Sequence, residues 1–402
     1  MSSEAEHKEI YPKAVPDIGK WFYWNKGGRN IYVIGNKEID KYFMAPENGV
    51  NMLHDLILHM DGTKSIAELE SYAKETYHTI VPIDDLVKKL MRAGLLEGTD
   101  AERRNELDVF SKKLFSYKFK TFSLAKKKKL SYLWDVMVLL ILVLVVSALI
   151  TLFLKPGECK TYYNQSFRFK DSYLYGAVIS CFISIVNIIC HEYAHAVSSV
   201  KFGLQPSEFA MILYGGYQFE WLVKIKGMYT VERKYRILIM LAGVIANLAL
   251  LSLSLLIGIW CPLSDIQTQL FSKFMVTNIF MIIACITPFS ISDGYYVISQ
   301  LFKTSNLRRQ MFQMMNFKNR KKGQMKPFNL VYSLISIGMI FYSFAITIFW
   351  AVKVSAELLE KSRQYIPSDI LCYVAAMFPL LVVGAIEFLF IRRFIQLIHS
   401  NR

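Results

Sequence analysis

The fold of this chain depends on residues 181–200, which have the sequence CFISIVNIICHEYAHAVSSV. The stretch and the residues before it are apolar over a length that can cross a bilayer. It nevertheless contains two histidines and a glutamate. Ionisable groups are costly inside a membrane unless they have partners, so they indicate a functional site. The stretch therefore predicts both a membrane helix and a site built into that helix.

The ionisable residues of this stretch form an HExxH motif, His191 to His195. Residues four apart share one face of a helix, so both imidazoles can reach one metal ion. Glu192 lies beside them and can hold a proton without being a ligand. A catalytic zinc site uses three protein ligands and keeps one position open. We therefore expect one Zn²⁺ per chain; the alternative, a solvated helix face, does not suit an apolar span.

A third ligand has to come from another part of the membrane domain. The acidic residues in or near predicted spans are Asp135, Asp293 and Glu387. Pro288 and Gly294 flank Asp293, and both open the backbone of a helix near its carboxylate. Asp135 is expected at a solvated interface, and Glu387 as a snorkelling or paired carboxylate near the end of the last span. The prediction is that Asp293 completes the site, at the same depth as the two histidines.

The composition indicates a polar domain joined to a helical membrane domain. The 402 residues are 53% hydrophobic and 20% charged, which is too apolar for an ordinary soluble protein. We predict a small soluble domain over 1–100, a basic cytosolic linker over 101–131 and a membrane-embedded domain over 132–402. The apolar stretches lie near 132–154, 173–200, 236–258, 272–292, 328–352 and 371–391.

The positive charge follows the membrane domain. The net charge of +15 divides into −4 for residues 1–100 and +19 for the rest, so it does not indicate nucleic-acid binding. With both termini cytosolic, the inner segments hold 27 Lys and Arg and the outer loops 7, as the positive-inside rule requires. Cys159 and Cys261 then both lie outside, where they could pair; two unlinked thiols are the preferred interpretation.

The soluble domain is predicted to be a small α+β unit with a winged-helix-like arrangement. Ser65 and Glu68 have capping-box spacing and open a helix. The expected elements are a strand at Asn30–Ile34, a helix from Ser65 to Tyr77, a helix from Pro82 to Ala93 that ends at Gly94, and an extended pair at Leu95 and Leu96.

A second β-prone region follows the HExxH helix. Phe209–Tyr214 and Tyr217–Leu222 are apolar, and Gly215-Gly216 between them is typical of a hairpin turn. The residues are equally compatible with an interfacial loop of aromatic anchors, so both interpretations stay open.

The two metal motifs together resemble the site-2-type intramembrane zinc metalloproteases. The resemblance covers roughly residues 173–300 and rests on HEYAH and, about a hundred residues later, ITPFSISDGYY. It implies that His191, His195 and Asp293 bind zinc and that Glu192 is the catalytic base. Residues 242–247 resemble the family's Ala-Gly-Pro-x-x-Asn segment, with Val244 replacing proline, which suggests a substrate-positioning role for Asn247. The family's asparagine before the later proline is here Thr287.

The N-terminal residues resemble a second family, the PqqD-like peptide-recognition domains. The similarity rests on NIYVIGNKEI, DGTKSIAELESYAKETY and IDDLVKKLMRAGLLEG. Such domains bind the leader of a ribosomally made, modified peptide, usually as an added strand. Together the two resemblances imply a bacterial membrane peptidase of modified-peptide clusters, similar to those that mature epipeptides. Its expected partners are the precursor peptide, the lipid bilayer and a peptide exporter.

Three other functions are compatible with parts of the sequence. The chain could cleave a membrane-anchored regulator, or it could bind a peptide for immunity or export without catalysis. A di-iron oxygenase would need more histidines near the membrane, and His7, His54, His59, His78 and His399 form no cluster along the chain. The intact HExxH glutamate favours catalysis. If the hairpin exists, Gly215 and Gly216 are expected to help it position an extended substrate.

Overall fold

The computed structural model of the chain describes residues 10–26, 28–99, 111–119, 124–214, 218–286, 292–303, 307, 327–365 and 369–400. The protein is mostly helical, with a small sheet region near the N-terminus. It divides into two compact units. One contains residues up to 109 together with 204–207 and 225–236, and the other contains 110–203, 208–224 and 237–402.

The N-terminal part of the first unit is a three-stranded meander followed by three helices. Its strands β1 (Gly19–Lys26), β2 (Arg29–Asn36) and β3 (Lys41–Pro46) pair antiparallel in the order β1-β2-β3. The helices are α1 (Glu47–Leu58), α2 (Ile66–Tyr77) and α3 (Ile83–Ala93). We call the described residues 10–99 the N-terminal domain.

The helix ends of this domain follow from local sequence chemistry. Ser65 and Glu68 form the predicted capping box at the start of α2, which satisfies two otherwise unpaired backbone donors. Gly94 ends α3 in the left-handed conformation, with φ of 69°, which glycine adopts without a steric penalty. Both predicted helices and the strand at Asn30–Ile34 are confirmed.

The winged-helix-like order is not what the structure shows. The sheet precedes the helices, and the extended pair expected after α3 reduces to an isolated bridge between Leu96 and Ala14. The domain core includes Ile34, Leu56 and Leu69, which are fully buried. The sheet and the helices therefore share one apolar core. The sequence did not predict three of these elements: β1, β3 and α1.

Long helices make up most of the second unit, and one of them begins in the first. They are α4 (Leu124–Leu154), α5 (Pro156–Gln165), α6 (Tyr173–Lys201), α7 (Arg233–Trp260), α8 (Asp265–Ile286), α9 (Asp293–Leu301), α10 (Pro327–Tyr365) and α11 (Asp369–Ser400). The helix α6 carries the HExxH motif.

Within the described ranges, five helices are long and apolar enough to cross a membrane: Lys128–Leu154, Tyr173–Lys201, Arg233–Trp260, Asp265–Ile286 and Leu330–Arg363. They suggest a membrane protein and match five of the predicted stretches. The fourth stretch needs correction, because its helix ends at Ile286 and Asp293 opens a separate helix instead of closing the span. The sixth stretch lies inside α11, which is not among the five. The orientation stays a prediction.

A second sheet combines one strand that precedes α4 with two strands that lie between α6 and α7. The strands β4 (Ser111–Lys118), β5 (Gln205–Tyr214) and β6 (Gln218–Lys226) form it in the order β4-β5-β6. The hairpin interpretation of residues 209–222 is thereby confirmed, while Gly215 and Gly216 lie outside the described residues. The strand β4 falls in the segment predicted to be only a linker. It pairs antiparallel with β5, and Lys113 forms an ion pair with Glu208 across the two strands.

The cysteines of the predicted outer loops do not form a disulfide. Cys159 is buried in α5, and Cys261 is exposed just after α7. Both are free thiols, in agreement with the preferred interpretation of the sequence.

Candidate metal centre

Three side chains from two helices meet at one point of the second unit. His191 and His195 lie one turn apart on α6, and Asp293 is the first residue of α9. The Nε2 atoms of the two histidines are 3.2 Å apart. Oδ2 of Asp293 lies 3.0 Å from Nε2 of His191 and 3.4 Å from Nε2 of His195. The structure thus brings together the three residues that the sequence predicted to be ligands.

The triangle of donor atoms fits a tetrahedral metal ion. Around zinc with ligand bonds of about 2.0–2.1 Å, neighbouring donor atoms stand about 3.3 Å apart. The three observed separations, from 3.0 to 3.4 Å, bracket that value. Two imidazoles and one carboxylate are also a donor set that zinc accepts in catalytic sites. These residues could hold a divalent metal ion.

The histidine rings are oriented by partners on their other nitrogen. Nδ1 of His195 lies 2.7 Å from the carbonyl oxygen of Ile239, to which it donates. Nδ1 of His191 lies 3.0 Å from the side-chain amide of Asn247. With the proton on Nδ1, Nε2 of each ring keeps its lone pair for a metal.

The side-chain amide of Asn247 can accept a hydrogen bond from Nδ1 of His191 if its oxygen faces the ring. Asn247 is fully buried, and among the described residues its Oδ1 atom has no hydrogen-bond partner. The nitrogen and oxygen of an amide exchange places by a half turn of the side chain. In that orientation Oδ1 accepts the Nδ1 proton of His191. Asn247 is thus placed to position a ligand ring, and the substrate-positioning role suggested for it stays a prediction.

The backbone of α7 approaches His191 so closely that only glycine fits. A Cβ atom on Gly243 would lie 2.3 Å from Nε2 of His191 and 2.4 Å from Cε1. Gly243 and Asn247 are four residues apart, so one face of α7 provides both the space for the ring and its hydrogen-bond partner. This gives a physical reason for the Ala242–Asn247 segment.

A second glycine places the third ligand. Asp293 opens α9, and a Cβ atom on the next residue, Gly294, would lie 2.1 Å from the carbonyl oxygen of Ile286. The first turn of α9 therefore packs directly on the last residue of α8. The Asp-Gly pair brings the carboxylate to the histidines because glycine permits this approach. Thr287 and Pro288 lie outside the described residues.

The glutamate of the motif contacts the hairpin. Oε2 of Glu192 accepts a hydrogen bond of 2.7 Å from the backbone N–H of Val223 in β6. Among the described residues, Oε1 of Glu192 has no hydrogen-bond partner. The side chain is not a member of the ligand cluster, as the sequence predicted. It is held next to the ligands with one oxygen available for a proton.

The other acidic candidates are engaged elsewhere. Asp135 forms an ion pair with Lys201, and Glu387 accepts a hydrogen bond of 2.8 Å from the hydroxyl of Thr347. In the part of the chain that the structure describes, the group of His191, His195 and Asp293 is the only cluster of three possible ligands. This arrangement gives no support to a di-iron centre.

Two backbone groups at this site and the side chain of Cys285 were not predicted from the sequence. The carbonyl of Ile239 and the N–H of Val223 carry no side-chain signal, because any residue type supplies them. Sγ of Cys285 lies 4.0 Å from Nε2 of His191. Its position on α8 becomes meaningful only once the helices are packed. The small residues Ala242 and Gly243 were the one available signal for the close approach of α7.

Comparison of the chain with protein-family models, with curated proteins and with solved structures gives no match.

Proposed function

We propose that this protein is a zinc-dependent intramembrane endopeptidase that cleaves a ribosomally made, modified peptide precursor during its maturation or export. The observation that carries the proposal is the convergence of His191, His195 and Asp293 within 3.4 Å of one another. Glu192, the residue suited to act as a base, follows directly in the chain after the first of them.

Each residue at the site has a defined task in this proposal. The two histidines and Asp293 would hold the ion, and Ile239 and Asn247 fix the rings. A zinc ion bound there supplies Lewis-acid activation of water near neutral pH. Glu192 accepts a proton on a carboxylate oxygen and later delivers it to the leaving amine.

The burial of the site supports a reaction inside the membrane domain. His191 is 4% exposed and His195 is 7% exposed, and both lie on a helix that can span a bilayer. Surroundings that exclude water strengthen the interaction of charges at the site. Enclosure also limits access to the site, so a peptide must reach it in an extended, locally unfolded form.

The hairpin offers a way to present such a peptide. The Val223 N–H donates to Glu192, so the backbone of β6 at this residue faces the side chain proposed as the catalytic base. An extended substrate could add to β6 as a strand and pass close to Glu192. Gly215 and Gly216 are proposed to help position this substrate.

The N-terminal domain is the reason for proposing a peptide precursor as the substrate. It contains an antiparallel sheet whose strand β1 carries Trp21, Phe22, Tyr23 and Trp24. A sheet edge with aromatic side chains suits an extended peptide, as in the PqqD-like domains that its sequence resembles. We further propose that the protein lies in a bacterial cell membrane with both termini in the cytosol.

The test is cleavage by the purified full chain in lipid nanodiscs. The substrate would first be identified as the peptide whose mass changes when the protein is deleted from cells. Glu192→Gln should keep its zinc and lose activity by about 10²–10⁴-fold, the range for removal of a general base. Glu387→Gln, a membrane carboxylate outside the cluster, is the control and should cleave normally.

Three outcomes would refute the proposed mechanism or favour one of the alternative functions. Undiminished cleavage by Glu192→Gln would refute the mechanism. A deletion strain whose peptides keep their mass would favour the non-catalytic peptide-binding or immunity protein. A changed mass in a membrane-anchored regulator instead of a small precursor would assign the site to regulated proteolysis.

A further inference from the structure

Residues 225–236, the connector segment, belong to the first unit although they lie far along the chain from it. The segment contains the end of β6, a short 3₁₀ turn at Met228–Thr230 and the first residues of α7. Only Gly227 to Glu232 separate the two regular elements. Because little irregular backbone lies between β6 and α7, a displacement of the segment is passed on to both elements.

The connector segment is bound to the β2–β3 turn of the N-terminal domain by two hydrogen bonds, each between a side chain and a backbone group. Nζ of Lys226 donates to the carbonyl oxygen of Glu38. The N–H of Gly227 donates to the carboxylate of Asp40 over 3.0 Å. Gly227 has φ of 82°, and a Cβ atom there would lie 2.9 Å from the side chain of Lys37. The fit at this position requires glycine.

Arg236 provides the second attachment. Its guanidinium donates to the carbonyl oxygen of Tyr23 over 2.7 Å and lies 4.4 Å from the centre of the Tyr23 ring. The residue is 1% exposed. Tyr229 packs with the same Tyr23 ring and with Tyr42, at 5.3 Å between ring centres in each case. A buried guanidinium is costly to separate from its partners, so the first turn of α7 is fixed to β1.

Both ends of the connector segment continue into groups that contact the metal centre. Two residues before it, the N–H of Val223 holds Glu192. Three residues after it, the carbonyl of Ile239 holds His195. Further along α7, Gly243 and Asn247 lie against His191. The connector segment is thus joined in the chain to the supports of the base and of two ligands.

We infer that the N-terminal domain controls the metal centre through the connector segment, with Arg236 and Asp40 as the positioning residues. The N-terminal domain contacts the connector segment at two points. A change in the sheet β1-β2-β3 therefore shifts the end of β6 and the start of α7. The supports of Glu192 and His195 shift with them. If the site is the peptidase proposed above, on which this regulatory role rests, peptide binding to the sheet would set its activity.

The experiment compares three variants of the full chain in lipid nanodiscs, with Co²⁺ as the probe metal. Arg236→Gln and Asp40→Ala each break one attachment of the connector segment. Lys234→Gln is the matched control, because Lys234 is exposed on the same turn of α7. Its partners among the described residues are Glu232 and the neighbouring Tyr235. The readouts are amide hydrogen exchange at Val223 and the visible spectrum of bound Co²⁺.

We expect Arg236→Gln and Asp40→Ala to raise exchange at Val223 by about tenfold or more and to shift the Co²⁺ spectrum. Lys234→Gln should change neither. Unchanged exchange and spectrum in both attachment variants would overturn the inference, whether or not the N-terminal domain stays folded, since its unfolding should disturb the site too. Neither readout needs cleavage, so a chain that shows the coupling but cleaves nothing refutes only the peptidase.

Discussion

A Cβ atom on Gly243 would lie 2.3 Å from Nε2 of His191, the nitrogen that faces the other two ligands of the candidate metal centre. Carbon and nitrogen atoms that are not bonded cannot approach so closely. The backbone of α7 therefore packs directly against the imidazole ring. The position of the metal centre thus depends on a residue that has no side chain.

Gly243→Ala should for this reason weaken metal binding. The added methyl group has to push the His191 ring away, and small displacements of a ligand cost about 10- to 100-fold in affinity at other metal sites. Zinc affinity measured by chelator competition checks this. Gly338→Ala is the control, because a Cβ atom there meets nothing within 4 Å; equal affinity of both variants and the wild type would contradict the prediction.

Asn247→Leu should also lower zinc affinity, by about 10- to 100-fold, because it removes the partner of Nδ1 on His191. Asn247→Asp keeps an acceptor oxygen at the same place and should retain most of the affinity. Titration with Co²⁺ would show the difference as a change in both the dissociation constant and the spectrum. Equal binding by the leucine and aspartate variants would show that the amide does not position the ring.

Gly294→Ala is expected to displace Asp293 from the site. Its Cβ atom would lie 2.1 Å from the carbonyl oxygen of Ile286, which is backbone and cannot rotate away. The carboxylate should then move, and the metal content of the purified protein should fall to near that of Asp293→Ala. Gly384→Ala has nothing within 4 Å of its Cβ atom and serves as control; full zinc content in Gly294→Ala would argue against the packing of α9 on α8.

Alkylation of Cys285 should block the metal centre. Its sulfur lies 4.0 Å from Nε2 of His191, so a group as large as a maleimide adduct has to occupy the space of the ligands. Treatment of the metal-free protein with N-ethylmaleimide should abolish Co²⁺ binding. Cys285→Ala should protect the protein, whereas Cys181→Ala, which removes an exposed thiol of α6, should not. Loss of Co²⁺ binding in the wild type and in both variants would place the reaction at another cysteine.

The N-terminal domain should lose local stability in acid through Asp55. Burial alone raises the pKa of this carboxyl, but the hydroxyls of Tyr77 and Tyr72, with His59 and His54, lower it below its ordinary value. Those hydroxyls donate to Oδ2 over 2.8 and 3.0 Å.

A carboxyl whose pKa is lower in the folded state stabilises the fold above its unfolded pKa of about 3.9. This contribution is lost as the pH falls through the folded pKa. Tyr77→Phe should therefore cost about 1 kcal/mol near neutral pH and less at a pH low enough to protonate Asp55 in the folded state. Hydrogen exchange of α1 and α2 amides at the two pH values measures it, with Tyr32→Phe as control. A cost that is the same at both pH values would exclude the charge of Asp55 as its cause.

Local sequence signals were sufficient for the secondary structure of several segments. Ser65 and Glu68 specified the start of α2, and Gly94 specified the end of α3, since capping depends only on neighbouring residues. The apolar stretches predicted five of the long helices, and three of these, Lys128–Leu154, Tyr173–Lys201 and Arg233–Trp260, agree with the predicted bounds to within a few residues. The strand β4 was missed because its lysine-rich sequence has little β propensity, and it forms by pairing with β5 across about a hundred residues.

The sequence by itself determined which side chains are available as ligands. His191 and His195 are four residues apart on a helix, so their common face follows from helix geometry alone. Asp293 was identifiable because an ionisable residue in or near an apolar span is energetically costly. Only the tertiary structure decided that these groups meet, because their separation depends on how α6, α7, α8 and α9 pack. The supports from Ile239 and Val223 are backbone atoms common to every residue, so no pattern of side chains could have revealed them.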